Sequence, residues 1–157
     1  MTDPTYDFTV TRVFGEPVER VWQAWADAER VAEWWGPHGF TGKVLQMDFR
    51  EGRATLVSMS SPQVGEIFNT WTYERIEPMR RIEFVVRFAD AQGTPIDPIA
   101  PGVPAAVPHV VTFTDLGNGR TEMTITESGY SSAEAAAMSK AGQEQVVEKM
   151  AASVENA

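Results

Sequence analysis

The chain of 157 residues has no cysteine, which excludes disulfide bonds, thiol nucleophiles and thiolate metal ligands together. It also lacks any uninterrupted apolar run of roughly 18 residues, the minimum for a membrane-spanning helix. The first ten residues, MTDPTYDFTV, do not show the basic segment followed by an apolar stretch that marks a signal peptide. These absences predict a protein of the cytoplasm.

Basic residues are few, with 13 Lys and Arg against 22 Asp and Glu and a net charge of −9. Nucleic-acid binding needs a basic patch, because release of counterions from the phosphates drives it. Here Arg80-Arg81 is the only adjacent basic pair. We therefore expect neither a nucleic-acid partner nor an anionic membrane surface. An apolar or weakly polar small molecule, or a basic patch on a partner protein, remains open.

Sequence signatures of catalysis are missing as well. The chain has no G-x-S-x-G nucleophile elbow, no phosphate-binding loop and no dinucleotide-binding glycine motif. Its two histidines, His38 and His109, do not occur in an H-E-x-x-H arrangement, and a metal site would need carboxylates in addition. We predict no metal and no cofactor, and the residues alone leave open whether the protein is an enzyme.

What the sequence does contain is the composition of a globular protein, with 43% apolar and 22% charged residues. One domain over residues 1–157 is expected. Residues 6–14, YDFTVTRVF, alternate as a strand does. Pro17 is predicted to be the first residue of a helix. Asp27 is predicted to cap a second short helix that runs to Trp35 and ends at Gly36-Pro37.

The middle of the chain has a period of two, which predicts antiparallel strands covered on one side. The expected strands are 41–49, 54–60, 64–76, 80–88, 107–115 and 120–127. Ser131 and Glu134 have capping-box spacing and predict the start of a helix of about twenty-five residues. Its apolar stripe recurs every four residues, at Met138, Gly142, Val146, Met150 and Val154.

The segment of residues 90–108, here called the Pro-rich segment, has prolines at every third position from Pro95 to Pro104. Polyproline II structure turns once in three residues, so these prolines would line one side of an extended rod. The segment is then a stiff connection between two strands. The alternative is a lid or a docking segment.

Several stretches of the sequence resemble one known group of proteins. TRVFGEPVERVWQAWADAERVAEWWGPHGFT, MDFREGR, YERIEPMRRIEF and GQEQVVEKMA are similar to the pattern of the START-like (SRPBCC) superfamily. The branch they resemble is that of the Aha-type activator of a heat-shock chaperone ATPase. The resemblance implies an α+β helix-grip fold, in which a curved antiparallel sheet of six or seven strands wraps around a long C-terminal helix. Two short helices would follow the first strand.

The same resemblance implies a cavity between the sheet and the long helix that holds apolar ligands. We therefore expect the chain to bind an apolar small molecule. Some members of the superfamily are cyclases or hydrolases, so an enzyme that acts on an apolar substrate through Tyr73 or His109 is an alternative. A protein-interaction role is another, with a chaperone or a second copy of the chain as the partner.

The residues expected to contact the ligand come from the inner face of the sheet, the long helix and the adjacent tryptophans Trp34 and Trp35, here called the WW pair. They are Trp35, Met59, Trp71, Tyr73, Phe84, Val86, His109, Phe113, Met138, Gly142 and Val146. Trp34 and Trp35 point about 100° apart on a helix, so one belongs to the core and the other to the cavity entrance. The pattern does not assign which.

Three of these residues carry specific expectations. His109 alternates with Val111 and Phe113, which points its ring toward the cavity unless it is solvated or bonded to the backbone at the strand end. Tyr73, if buried, needs a partner for its hydroxyl, either a ligand or a neighbouring carboxylate. Gly142 costs a helix about 1 kcal/mol relative to Ala, which close packing or room for a ligand would explain.

Overall fold

The computed structural model describes residues 3–155, which form an antiparallel sheet and three helices. The elements are β1 (Tyr6–Phe14), α1 (Val18–Ala26), α2 (Ala28–Trp34), β2 (Thr41–Gln46), β3 (Ala54–Ser61), β4 (Gly65–Glu77), β5 (Arg81–Ala89), β6 (Val107–Gly117), β7 (Arg120–Tyr130) and α3 (Ala133–Glu155). The strands are ordered β1-β7-β6-β5-β4-β3-β2. The curved sheet wraps around α3, and α1 and α2 follow the first strand, which confirms the predicted helix-grip fold.

Local sequence signals place the helix ends to within one residue. Asp27 caps α2 as predicted, since its Oδ1 accepts a 3.0 Å hydrogen bond from the backbone N–H of Glu29. Pro17 is the residue before α1 rather than its first helical residue. The cap of α3 is Ser132 and not Ser131, because Ser132 Oγ accepts from the backbone N–H of Ala135 at 3.1 Å. None of the helices in residues 3–155 has the length and apolar character needed to cross a membrane.

The predicted stripe on α3 is wrong at Met138, whose surface is 70% exposed. Residues four apart on an α-helix are rotated by about 40° relative to each other. Over the sixteen residues between Val154 and Met138 this drift brings the side chain to the opposite side of the helix. Val146, Met150 and Val154 are buried against the sheet, as expected.

Aromatic side chains fill the half of the core that lies beneath α1 and α2. Trp34 and Trp71 are each 1% exposed and stack with their ring centroids 6.0 Å apart. Trp25 lies 4.8 Å from Trp34, again between ring centroids. The indole N–H of Trp34 donates to the carbonyl of Ala24 at 2.9 Å. Trp34 is therefore the core member of the WW pair.

The Pro-rich segment is folded against the body of the protein and is not a rod. Gly102 has a φ of +81°, and a turn hydrogen bond of 3.3 Å joins the N–H of Val103 to the carbonyl of Ala100. Both are incompatible with continuous polyproline II structure. The carbonyl of Gly102 accepts from the N–H of Ser131 at 3.0 Å, which fastens the segment to the start of α3.

Candidate functional site

Two adjoining pockets lie between α3, the inner face of the sheet and the Pro-rich segment. The first, here called the loop-side pocket, has a volume of about 230 Å³. The second, the helix-side pocket, has a volume of about 220 Å³. Trp35, Met59, Glu127 and Ser139 line both of them. The two pockets therefore form neighbouring parts of one hollow beside the filled aromatic half of the core.

Six of the predicted ligand-contacting residues line this hollow. Trp35, Met59, Val86 and His109 line the loop-side pocket. Gly142 and Val146 line the helix-side pocket. Of the WW pair, Trp35 is thus the ring that faces the pockets.

The remaining five predicted residues lie elsewhere. Met138 is on the solvent side of α3. The other four are buried core residues outside the lining of both pockets, namely Trp71, Tyr73, Phe84 and Phe113. Aromatic neighbours explain their position: the rings of Trp71 and Phe84 lie 5.2 Å apart, and Phe113 meets Trp22 edge-on at the same distance.

The hydroxyl of Tyr73 is already used within the protein. It lies 2.7 Å from Oγ1 of Thr55, and both residues are buried. Burial raises the pKa of Tyr73 to about 12, although the hydrogen bond with Thr55 acts in the opposite direction. The partner of this tyrosine is therefore a threonine, neither a ligand nor a carboxylate.

A buried carboxylate, which the sequence interpretation overlooked, lies at the junction of the two pockets. Glu127 is 5% exposed. Its Oε1 accepts a hydrogen bond from the hydroxyl of Tyr130 at 2.6 Å, and its Oε2 accepts one from Nε2 of Gln143 at 2.6 Å. Burial, followed by the charge of Glu127, raises the pKa of Tyr130. The carboxylate thus connects β7 to α3 at the edge of the hollow.

His109 completes this polar cluster. Its Nδ1 lies 3.0 Å from the carbonyl oxygen of Val107, which can only accept a hydrogen bond, so Nδ1 carries a proton. Its Nε2 lies 3.4 Å from Oε1 of Glu127. The ring therefore both faces the pocket and bonds to the backbone.

Three buried side-chain polar atoms in residues 3–155 have no hydrogen-bond partner: Trp35 Nε1, Asn69 Oδ1 and Trp71 Nε1. Such an atom costs about 1–3 kcal/mol, which is why most buried polar groups are paired. Trp35 and Asn69 both line the loop-side pocket, whereas Trp71 does not. Two of the three unpaired atoms therefore belong to residues that line one pocket. Across the same residues, no group of three His, Asp or Glu side chains is arranged to hold a metal ion.

The order of elements and the placement of α3 across the sheet define a protein of the START-like, helix-grip class. The sequence profile of the family described as Activator of Hsp90 ATPase homolog 1-like protein matches residues 16–155. The chain belongs to this family, which confirms the resemblance noted in its sequence. Among curated proteins, none matches the chain.

Solved structures of bacterial proteins have the same fold. A protein from Chromobacterium violaceum is 29% identical over 95% of this chain and 96% of its own, with a TM-score of 0.79. A protein from Arthrobacter aurescens is 27% identical over 96% of this chain and 87% of its own, with a TM-score of 0.81. The AHSA1 protein from Silicibacter pomeroyi is 16% identical, covers 96% of this chain and 98% of its own, and has a TM-score of 0.76. At that identity it supports the fold alone.

Proposed function

We propose that the protein binds an apolar small molecule in the two adjoining pockets between α3 and the sheet. The observation that carries the proposal is the lining of the loop-side pocket. Its apolar members are Trp35, Met59, Val86, Phe88, Ala100, Val103, Pro104 and Val107. Ligand sites are typically concave and mostly apolar, with a few placed polar groups, and this lining has that character.

The volume of the hollow suits a small ligand. An apolar cavity of about 150 Å³ is enough to hold benzene. Each pocket is larger than that, at about 230 and 220 Å³. Each is also smaller than the range of about 300–1,000 Å³ for typical ligand pockets, which favours a ligand of one to two rings.

Gly142 supports the proposal from the side of α3. A Cβ atom built on this glycine would meet no atom within 4 Å. Close packing therefore does not explain a glycine in the middle of this helix, whereas room for a ligand does. Its neighbours in the helix-side pocket include Val146 and Met59.

The Pro-rich segment forms one wall of the loop-side pocket. Ala100, Val103 and Pro104 all contribute to the lining. Ala100 is exposed, while Val103 and Pro104 are half-buried. We therefore propose that the ligand enters beneath this segment, which acts as a cover rather than as a plain connection between β5 and β6.

Calorimetric titration of the full chain with benzene, naphthalene and biphenyl tests the proposal. We expect at least one of these hydrocarbons to bind with a stoichiometry of one. Ser139 lines both pockets, so Ser139→Phe should weaken the binding at least tenfold. Ala141→Phe, at an exposed position on the same helix, is the matched control and should leave the affinity unchanged. Absence of binding by all three compounds, or equal affinity in Ser139→Phe, would contradict the proposal.

The two alternatives make separate predictions. An enzyme that used Tyr73 is disfavoured because its hydroxyl is bonded to Thr55 outside the pockets, which leaves His109 as the candidate group. A role in chaperone activation, which the family description suggests, depends on the outer surface. That role would be supported if the protein stimulated a purified chaperone ATPase equally well with and without the Ser139→Phe change.

A further inference from the structure

Strands β1 and β2 are the two edges of the sheet. β2 has only six residues, and the end of α2 packs against it: a Cβ built on Gly42 would lie 2.7 Å from the carbonyl oxygen of Trp35. β1 has nine residues, contains neither proline nor glycine, and within residues 3–155 pairs with β7 alone. Its other side therefore presents a row of unpaired backbone N–H and C=O groups, to which another strand could be added.

One charged residue interrupts the apolar face of β1. Side chains alternate between the two faces of a strand, and the concave face of β1 takes Phe8, Val10 and Phe14, which are 8%, 8% and 0% exposed. Arg12 belongs to the same row, because its partner on β7 is the fully buried Met123. A cation thus stands between two buried apolar side chains, at a position where the alternation predicts a third.

Arg12 is exposed, although the residues on either side of it in this row are buried. Within residues 3–155 its guanidinium makes no hydrogen bond and no ion pair. A long basic side chain can keep its stem on apolar surface while its charge stays in water. Because β7 closes one side of the strand, the route from this position to water leads past the free edge of β1. A strand added to this edge would cover that route.

We propose that Arg12 prevents β1 from pairing with the β1 strand of a second copy of the chain. When two such strands pair antiparallel in one continuous sheet, residues of the same face oppose each other. Arg12 would then oppose an apolar side chain of the second copy's concave row, or the Arg12 of that copy. Its charge would lose access to water without gaining a partner of opposite sign, which disfavours the association. The inference does not depend on ligand binding.

Sedimentation velocity of the full chain over a range of concentrations tests the proposal. We expect Arg12→Val to form dimers at concentrations about tenfold or more below any at which the wild type does. Arg12→Lys and Arg12→Glu should stay monomeric, because each keeps a charge at this position. Thr11→Val is the matched control: it places the same apolar side chain at the neighbouring exposed residue, on the convex face, and should also stay monomeric.

Amide hydrogen exchange shows where two copies meet. In an antiparallel pair alternate N–H groups bond to the neighbouring strand, so the remaining N–H groups of β1 point to its free edge. In the wild type these amides should exchange rapidly at every concentration. In Arg12→Val they should become protected as the dimer forms, while the amides of the Pro-rich segment should not change.

Three results would overturn the inference. The first is an Arg12→Val protein that is as monomeric as the wild type. The second is association that leaves the β1 amides unprotected or that Thr11→Val reproduces, since either would reflect added apolar surface in general. The third is a wild type that already dimerises with protected β1 amides, and this measurement requires no variant.

Discussion

Glu127 and Tyr130, three residues apart at the end of β7, form a buried hydrogen bond of 2.6 Å from the tyrosine hydroxyl to Oε1 of the carboxylate. The other oxygen of Glu127 accepts from Gln143 on α3, also at 2.6 Å. The sheet and the long helix are thus joined by a polar contact at the edge of an otherwise apolar hollow.

We expect Glu127→Leu to lower the free energy of unfolding by about 3 kcal/mol, because it leaves the buried donors of Tyr130 and Gln143 without an acceptor. Urea denaturation measures the change. Glu122→Leu, five residues earlier on the same strand and only half-buried, is the control and should stay within about 0.5 kcal/mol of the wild type. A loss below about 1 kcal/mol for Glu127→Leu would mean that the polar contact is not structural.

Tyr73 makes the stability sensitive to alkaline pH. Its pKa is raised from 10.0 to about 12, chiefly by burial, so the unfolded chain releases this proton at a lower pH than the folded protein. Between these values the unfolded state binds fewer protons, and the free energy of unfolding falls as the pH rises. We expect the wild type to lose about 2 kcal/mol more than Tyr73→Phe between pH 10 and pH 12.

Below about pH 9 the difference in stability between the wild type and Tyr73→Phe should be constant, since the phenol is then protonated in both the folded and the unfolded state. Tyr130, whose pKa is also raised, contributes equally in both proteins and cancels from the comparison. Denaturant titrations at a series of pH values measure the curves. If the two stability curves stayed parallel up to about pH 12, the pKa of Tyr73 would not be raised by burial.

Gly142→Leu should stabilise the protein and weaken ligand binding at the same time. Replacing a mid-helix glycine gains about 1 kcal/mol of helix propensity. The new side chain enters the helix-side pocket, where a Cβ would meet nothing within 4 Å. Thermal denaturation and probe titration measure the two effects. In the control, Ala141→Leu at an exposed site, neither property should change much, and unaltered affinity in Gly142→Leu would place the ligand elsewhere.

The close contact between the Pro-rich segment and α3 depends on Gly102. A Cβ here would lie 2.6 Å from the Cβ of Ala135 on α3, and the backbone φ is +81°. We expect Gly102→Ala to detach the Pro-rich segment and to raise its amide hydrogen exchange. Gly93→Ala is a matched control, because Gly93 has a φ of +85° but its nearest side-chain atom would lie 3.8 Å away. Equal exchange in the two variants would show that backbone strain, rather than contact with α3, is what matters.

Alternation and caps in the sequence predicted most of the strands and helices, and the family resemblance implied how they are arranged in the helix-grip fold. Strand β1 was predicted at residues 6–14 and occupies Tyr6–Phe14. Asp27 indicated the start of α2 because its side chain can accept a hydrogen bond from a backbone N–H. Strand alternation and helix caps depend only on residues that are close together in the sequence. The cap of α3 lies one residue later than predicted, because Ser131 and Ser132 are adjacent and either hydroxyl can accept a hydrogen bond from a backbone N–H.

The candidate site was less predictable because it depends on contacts between distant elements. Glu127 and Ile125 are two residues apart on β7 and therefore lie on the same face of the sheet. The alternation thus indicated an inward-pointing carboxylate, but the predicted strand ended at this residue. By the same alternation, Asn69 and Trp71 lie on one face of β4. No local pattern shows that Trp34 is enclosed by Trp25 and Trp71 while Trp35 is left to line the pockets. That division follows from how α2 docks on the sheet.

The most direct test of the central claim, that apolar space between α3 and the sheet admits a molecule from outside, is the set of nuclear Overhauser contacts made by bound naphthalene. At saturating ligand, we predict contacts from the naphthalene protons to the methyl groups of Val86, Val103 and Val146. These three residues come from β5, the Pro-rich segment and α3, and they face the ligand only from within the hollow. Contacts restricted to exposed methyl groups such as that of Met138, or none at all, would contradict the account.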